Sequence, residues 1–204
     1  MNTVDFSGAR RAPSKVVCVG RNYLSHIMEL QNAVPDEMVL FFKPNASIGE
    51  ALRARAGEAL HFEGELCFGI EGGEMRYVGF GLDLTKRELQ SSLREQGLPG
   101  ERSKAFRGAA LFSGFVPLRG AVEDLNLELW IDGERVQEGG VKDMIYGPEA
   151  ILAEIGTVTD LVDFDVVMTG TPKGVGPVRE GARYEGKVVQ GGRELVRHVW
   201  RAGP

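Results

Sequence analysis

The sequence predicts a single mixed α/β domain in which strands dominate, and three observations carry that expectation. Short apolar runs end in glycine or proline, too short for core helices: KVVCVG at 15–20, VLFFKP at 39–44 and DFDVVMTG at 163–170. The segment LNLELWIDGERVQEGG alternates strictly at Leu125, Leu127, Leu129 and Ile131 and turns at Asp132-Gly133, a hairpin signal. GARYEGKVVQGGRELVRHVW alternates and turns in the same way, as a terminal hairpin, with His198 a structural or surface residue. Helical spacing is confined to RNYLSHIMELQNAVPDE, to Thr85–Gly97 and to GPEAILAEIGTVTDL, the last with Pro148 at its start. Thr85 and Glu88 form a capping-box pattern, and Gly97 and Pro99 stop that helix.

Composition bounds the rest. With 204 residues, 43% hydrophobic and 26% charged, the chain has material for one substantial core. Residues 1–14 are polar and read as an arm or short edge strand before a domain spanning 15–204. A net charge of −5 without a basic run argues against nucleic acid, leaving small molecules or a second copy of the chain as partners. Cys18 and Cys67 both sit in apolar runs and read as buried, reduced thiols of a cytoplasmic protein. No apolar run approaches the roughly 18 residues needed to span a bilayer, and the N-terminus lacks the apolar region of a signal peptide.

The chemistry concentrates between His61 and Gln90. Glu63 and Glu65 alternate on a strand-like segment, so both carboxylates point to one face. After the turn signal at Glu71–Gly73, a returning strand ends at Asp83, which it sets beside them. Three clustered carboxylates repel unless a cation neutralises them, and an all-oxygen set suits Mg²⁺ first, then Mn²⁺, with Ca²⁺ possible. An E-x-E pair is equally at home on a solvent face, and spacing alone does not separate the two readings. His26 and Glu29 lie three apart on one helical face, either an exposed pair or a general base oriented by a carboxylate. Lys43 is expected to be exposed at a strand end, and Lys104 reads by itself as a solvated lysine. The segment 45–60 reads as a surface loop or edge connection. The loop TPKGVGPV fits neither a P-loop nor a dinucleotide fingerprint, but its backbone amides and the Thr171 hydroxyl suit a carboxylate.

In order, CVGRNYLSHIMEL, VLFFKP, HFEGEL, GLDLTKRELQ, SKAF, DMIYGPEAIL and MTGTPKGVGPV resemble the fumarylacetoacetate hydrolase family, in its short-chain branch of acylpyruvate and fumarylpyruvate hydrolases, oxaloacetate decarboxylases and related isomerases. The likeness runs from about residue 15 to the C-terminus, and GRNYxxHxxE, ExE and GTPxGVGP are specific in combination. It implies a mostly β fold, like the fumarylacetoacetase C-terminal domain, whose strongly curved, barrel-like sheet wraps a metal, usually in a homodimer. It further implies that Glu63, Glu65 and Asp83 bind Mg²⁺ or Mn²⁺, that His26 and Glu29 sit on a lid helix, that Lys104 and Thr171 contact substrate, and that Arg21 and Gln90 line the pocket. The connection between VLFFKP and HFEGEL is shorter and more polar than is usual in the family, a difference that falls at the pocket rim.

The expected reaction is hydrolysis of a carbon–carbon bond in a 2,4-dioxo acid such as an acylpyruvate, with His26 activating water and Lys104 stabilising the pyruvate enolate. Because several reactions share that enolate, oxaloacetate decarboxylation and isomerisation of a 2-hydroxy-dienoate stand as alternatives. A non-catalytic binding protein on the same scaffold is the third reading.

Overall fold

The computed structural model describes residues 1–30 and 33–204. Its centre is the hairpin of Gly64–Glu71 and Glu74–Asp83, whose turn glycines Gly72 and Gly73 have φ of +61° and +78°. Both take the left-handed region that a tight hairpin turn demands and that glycine adopts without steric cost. The hairpin belongs to a strongly curled eight-stranded sheet. Val39–Pro44 lies at one edge, followed inward by Lys15–Gly20, Val166–Met168 and the hairpin, and the sheet continues through Ala110–Phe112 to Ile48–Gly49. Gly64–Glu71 is buried at every position except Glu71, as a strand covered on both faces must be.

Alternation sorts these side chains into different layers. Val17, Val19 and Val167 meet Ile151 and Ile155 of the helix Pro148–Val158 (α4). Both isoleucines are fully buried, each contributing about 1.5–3 kcal/mol. Val16, Cys18, Cys67 and Met168 pack instead with Phe6 and Phe115. Leu66, Phe68, Phe80 and Leu82 face a second, four-stranded sheet, Glu134–Gly140, Leu125–Ile131, Arg183–Gln190 and Arg193–Arg201 in spatial order. The approach is close: a Cβ on Gly186 would lie 2.3 Å from the Phe80 ring.

The hairpin expected at Asp132-Gly133 forms with Leu125, Leu127, Leu129 and Ile131 all buried. The N-terminal residues contribute more than an arm. Val4–Phe6 pairs with Ala9–Arg11, and Phe6 stacks on Phe115 with ring centroids 4.8 Å apart.

Three local expectations are corrected. The helical spacing across 21–37 yields a helix only at Leu24–Glu29 (α1). Gln31 and Asn32 lie outside the described residues, and no helix covers 33–37, where Pro35 disfavours helical backbone at Val34. The helix at Arg87–Glu95 (α2) forms, but without the Thr85–Glu88 capping box, because Thr85 is in a short strand. Glu58 serves instead, its Oε1 accepting from the backbone N–H of Glu88 at 3.0 Å and of Leu89 at 3.3 Å. Lys43 is not exposed but fully buried, since its strand partner Val16 faces the interior. No helix among the described residues is long and apolar enough to cross a membrane.

Candidate active site

The central hairpin register places the carboxylates. Gly64 pairs with Leu82 and Glu65 with Gly81, so Glu63 falls opposite Asp83, whose N–H donates to the Glu63 carbonyl at 2.9 Å. One oxygen from each of Glu63, Glu65 and Asp83 lies within 4.8 Å of the others, and all three residues are at most 6% exposed.

Three cations meet this cluster. Lys104, at the end of the short helix Glu101–Lys104 (α3), donates to Glu63 Oε2 at 2.8 Å, Asp83 Oδ2 at 2.7 Å and Thr85 Oγ1 at 2.7 Å. These bonds use all three ammonium protons. Lys43 Nζ lies 2.8 Å from Asp83 Oδ1, and Arg87 of α2 donates to Glu63. Burial opposes ionisation of Glu63, but Lys104 and Arg87 outweigh it and hold the carboxyl well below the usual range. Glu65 behaves oppositely. Burial, then Asp83 and Glu63, push it well above that range, and the Gly170 N–H at 2.8 Å only partly offsets them.

This donor set fits a divalent metal. Among the described residues no side-chain cation contacts Glu65, and the buried Asp83 Oδ1 makes no well-formed hydrogen bond despite its proximity to Lys43. A hard cation bound by the three carboxylates would satisfy both groups.

His26 and Glu29 reach the site because the chain reverses sharply after Lys15–Gly20. Arg21 takes φ of +56°, unusual for a residue with a Cβ. Asn22 secures the reversal, donating to Tyr146 O at 3.0 Å and Thr169 O at 2.8 Å and accepting from Tyr146 N at 2.8 Å. His26 is 6% exposed, with Nδ1 3.5 Å from Glu29 Oε2. Burial lowers its pKa, and Glu63 and Glu29 offset this only in part, so the imidazole is neutral at neutral pH. Gly170 and Gly174 in the loop after Val166–Met168 have φ of +96° and +99°. A Cβ on Gly174 would lie 2.0 Å from the Val136 carbonyl oxygen, so glycine is required there.

His26, Glu63, Glu65, Asp83, Lys104, Arg21, Gln90 and Thr171 all line one cavity of about 310 Å³. Glu29 stands behind His26. Thr171 does not present a free hydroxyl: its Oγ1 donates to Gly64 O at 2.9 Å and accepts from Gln137 Nε2 at 2.9 Å.

Sequence reasoning missed Gln137, Lys43, Arg87 and Arg94. Gln137 is buried, and its Oε1 accepts from Gly64 N at 2.9 Å. A signal was present in both strands: Gln137 pairs with buried Leu129 and Lys43 with buried Val16, polar residues at inward positions. Arg87 and Arg94 share a helical face with Gln90.

A curled β sheet folded around a buried carboxylate cluster defines a class, and sequence comparison agrees with it. A family model described as fumarylacetoacetate (FAA) hydrolase C-terminal matches residues 15–199, and the chain belongs to that family. It is 40% identical over 187 residues to the oxaloacetate tautomerase FAHD1, mitochondrial, of Arabidopsis thaliana, covering 83% of this chain and 84% of that protein. A crystal structure from Oleispira antarctica, given the provisional name fumarylacetoacetate isomerase/hydrolase, superposes with a TM-score of 0.93 at 30% identity, covering 99% of this chain and all of that one. Fumarylpyruvate hydrolase from Pseudomonas aeruginosa, in complex with Mn²⁺ and pyruvate, superposes with a TM-score of 0.88 at 27% identity, covering 98% and 95%.

Proposed function

We propose that this protein is a divalent-metal-dependent enzyme that moves a proton between C3 and the 2-oxygen of a 2-oxo acid, with oxaloacetate as the model substrate. The observation that carries this reading is a buried imidazole, His26, whose pKa burial lowers, lining the same cavity as three carboxylates suited to a hard cation. The 40% identity to an oxaloacetate tautomerase supports it.

Glu63, Glu65 and Asp83 would hold Mg²⁺ or Mn²⁺. When bound, the ion supplies Lewis-acid polarisation of a 2-oxo acid's carboxylate and oxo oxygens, which acidifies C3. The chain's residues do the rest. Glu29 lies on the Nδ1 side of His26 and favours a proton there, leaving Nε2 as the base that accepts the C3 proton and returns it to oxygen. Lys104 neutralises Glu63 and Asp83 and holds their oxygens in place. The Gly170 N–H fixes Glu65, and Gln137 fixes the Thr171 wall.

Decay of enol-oxaloacetate absorbance, followed with Mg²⁺, Mn²⁺ or EDTA, tests the reading. Acceleration should require metal and fall roughly 10²–10⁴-fold in His26→Ala. Full acceleration by that variant would sink the assignment.

Hydrolysis of 2,4-dioxo acids is the second reading, because the same His26–Glu29 pair is placed to activate a water, and the fumarylpyruvate hydrolase structure supports it. Metal-dependent release of pyruvate from acylpyruvates would favour it.

A further inference from the structure

Lys43 is fully buried and does not line the cavity, yet its ammonium reaches the carboxylate cluster. Nζ donates to the Lys104 carbonyl and, at 3.2 Å, to the Ala109 carbonyl, which fixes the ammonium against the backbone on either side of residues 105–108. Its third contact is Asp83 Oδ1 at 2.8 Å, a close approach of opposite charges without a well-formed hydrogen bond. Asp83 Oδ1 therefore keeps its lone pairs free for a metal ion while it lies in the field of a fixed positive charge.

The cluster's three carboxylates already face three side-chain cations among the described residues. Lys104 and Arg87 contact Glu63, and Lys104 and Lys43 contact Asp83. A divalent ion bound by the three ionised carboxylates leaves two positive charges in excess in a buried site, and such an excess calls for a counter-ion. The carboxylate of a 2-oxo acid, and the oxyanion of its enolate, are counter-ions of that kind. Lys104 and Arg87 both line the cavity, so they can touch a bound molecule. Lys43 stands behind Asp83 and acts on the contents of the cavity through its charge alone, which opposes a metal ion and favours an anion.

We propose that Lys43 is a positioning residue whose fixed charge weakens binding of the metal alone and strengthens binding of the 2-oxo acid anion once the metal is in place, so that the two ligands bind as a coupled pair. This rests on the reading that Glu63, Glu65 and Asp83 hold a divalent ion.

Calorimetry with Mn²⁺ and pyruvate, the simplest 2-oxo acid, tests it without turnover. In the wild type, saturating pyruvate should tighten Mn²⁺ at least about 10-fold, and saturating Mn²⁺ should tighten pyruvate by the same factor. Lys43→Met removes the charge and keeps an unbranched chain. It should tighten Mn²⁺ alone about 10-fold or more and weaken pyruvate on the Mn²⁺-loaded protein by a similar factor, the opposite effects of deleting one positive charge close to a cation and an anion. A merely structural role for Lys43 predicts loss of both affinities. Lys43→Gln, neutral but still able to donate to a carbonyl, should shift both constants in the same directions and replaces the methionine variant if that one does not fold. Lys43→Arg, which retains the charge, should lie closer to wild type in both. Wild-type Mn²⁺ affinity that ignores pyruvate, or Mn²⁺ binding weakened in the neutral variants, would overturn the proposal. No Mn²⁺ binding by the wild type would overturn the metal reading and this proposal with it. The expected shifts in a protein that leaves enol-oxaloacetate untouched would keep the proposal and overturn the reaction assigned above.

Discussion

The backbone N–H of Gly174 donates to Glu29 Oε1 at 2.9 Å, tying the helix of the candidate base to the loop that carries Gly170 and Thr171. Glu29 uses its second oxygen toward His26. It therefore offsets part of the lowering of the His26 pKa and anchors the helix Leu24–Glu29 to that loop at once. Glu29→Gln weakens the first role and retains a group able to accept from Gly174. The expected result is a loss of about 10- to 100-fold in kcat, with the acid limb of the pH–rate profile displaced to lower pH. The sign follows from the charges. Glu29 favours imidazolium, so its neutralisation lowers the His26 pKa, and the base stays deprotonated to lower pH. An acid limb displaced to higher pH would contradict this assignment.

Glu65 should behave differently from Glu63 when changed. Its folded pKa is raised, so ionising it at neutral pH costs stability without a bound cation. Glu65→Gln should leave the metal-free protein as stable as wild type or more so, while abolishing the rise in Tm that Mn²⁺ gives the wild type. Glu63→Gln should lower the Tm of the metal-free protein, because it removes the carboxylate that Arg87 and Lys104 share and leaves Lys104 with Asp83 alone. Melting curves with and without Mn²⁺ separate the two.

Away from the site, Asp165 links the start of the domain to the sheet. Burial pushes its carboxyl up, but Lys15 Nζ at 2.7 Å, the Val162 N–H at 3.1 Å and the Ser14 hydroxyl at 2.8 Å outweigh it and hold the group below the ordinary range. A depressed folded pKa contributes stability that is complete above the unfolded value of about 3.9 and is lost as pH falls through the folded value. Asp165→Asn should cost about 2 kcal/mol at pH 7 and flatten the stability curve below about pH 5. Denaturant midpoints at pH 7 and pH 4 measure both effects.

How much of this was legible depends on how local the cause is. Glu63, Glu65 and Asp83 could be read because strand alternation and the turn at Gly72-Gly73 decide which residues face one another, and these are short-range properties. Helical spacing picks out His26 beside Glu29, and loop chemistry picks out Thr171, but that they and Lys104 share one cavity with the carboxylates is implied only by the motif resemblance, since no local rule brings residues so far apart together. Lys43 and Gln137 eluded the reading because their partners are distant: Lys43 bonds the Lys104 carbonyl 61 residues on, and Gln137 bonds Gly64 73 residues back. The missing capping box has the same origin, since Glu58 satisfies amides 30 and 31 residues away while Thr85 turns to Lys104. The N-terminal hairpin was undervalued because its apolar content is two residues, Val4 and Phe6, whose worth depends on the pocket that receives them.

That pocket can be tested. A Cβ on Gly69 would lie 2.3 Å from Phe6 Cε1, so Gly69→Ala should cost about 1–3 kcal/mol by overpacking. In a Phe6→Leu background the same change should cost clearly less, giving a coupling of at least about 0.5 kcal/mol. A double-mutant cycle by urea unfolding checks this, and strict additivity would place the clash elsewhere.

Gln137 offers the most direct test of how the second sheet supports the site. Its amide bonds Gly64 N, Thr171 Oγ1 and the Pro172 carbonyl, so one side chain joins the strand of Glu65 to the loop that carries Gly170. Gln137→Leu preserves most of the volume but leaves the buried Gly64 N–H without its acceptor, at a cost of about 1–3 kcal/mol. It also frees the Thr171 wall from its anchor. Because neither group moves a proton in the proposed reaction, the expected kinetic signature is a raised KM and a weaker Mn²⁺ Kd with kcat within about threefold of wild type. Gln137→Glu, which keeps the acceptor for Gly64 N while losing the donor to Thr171, should recover metal affinity more than KM. Loss of kcat in both variants with KM unchanged would instead place Gln137 in the chemistry itself.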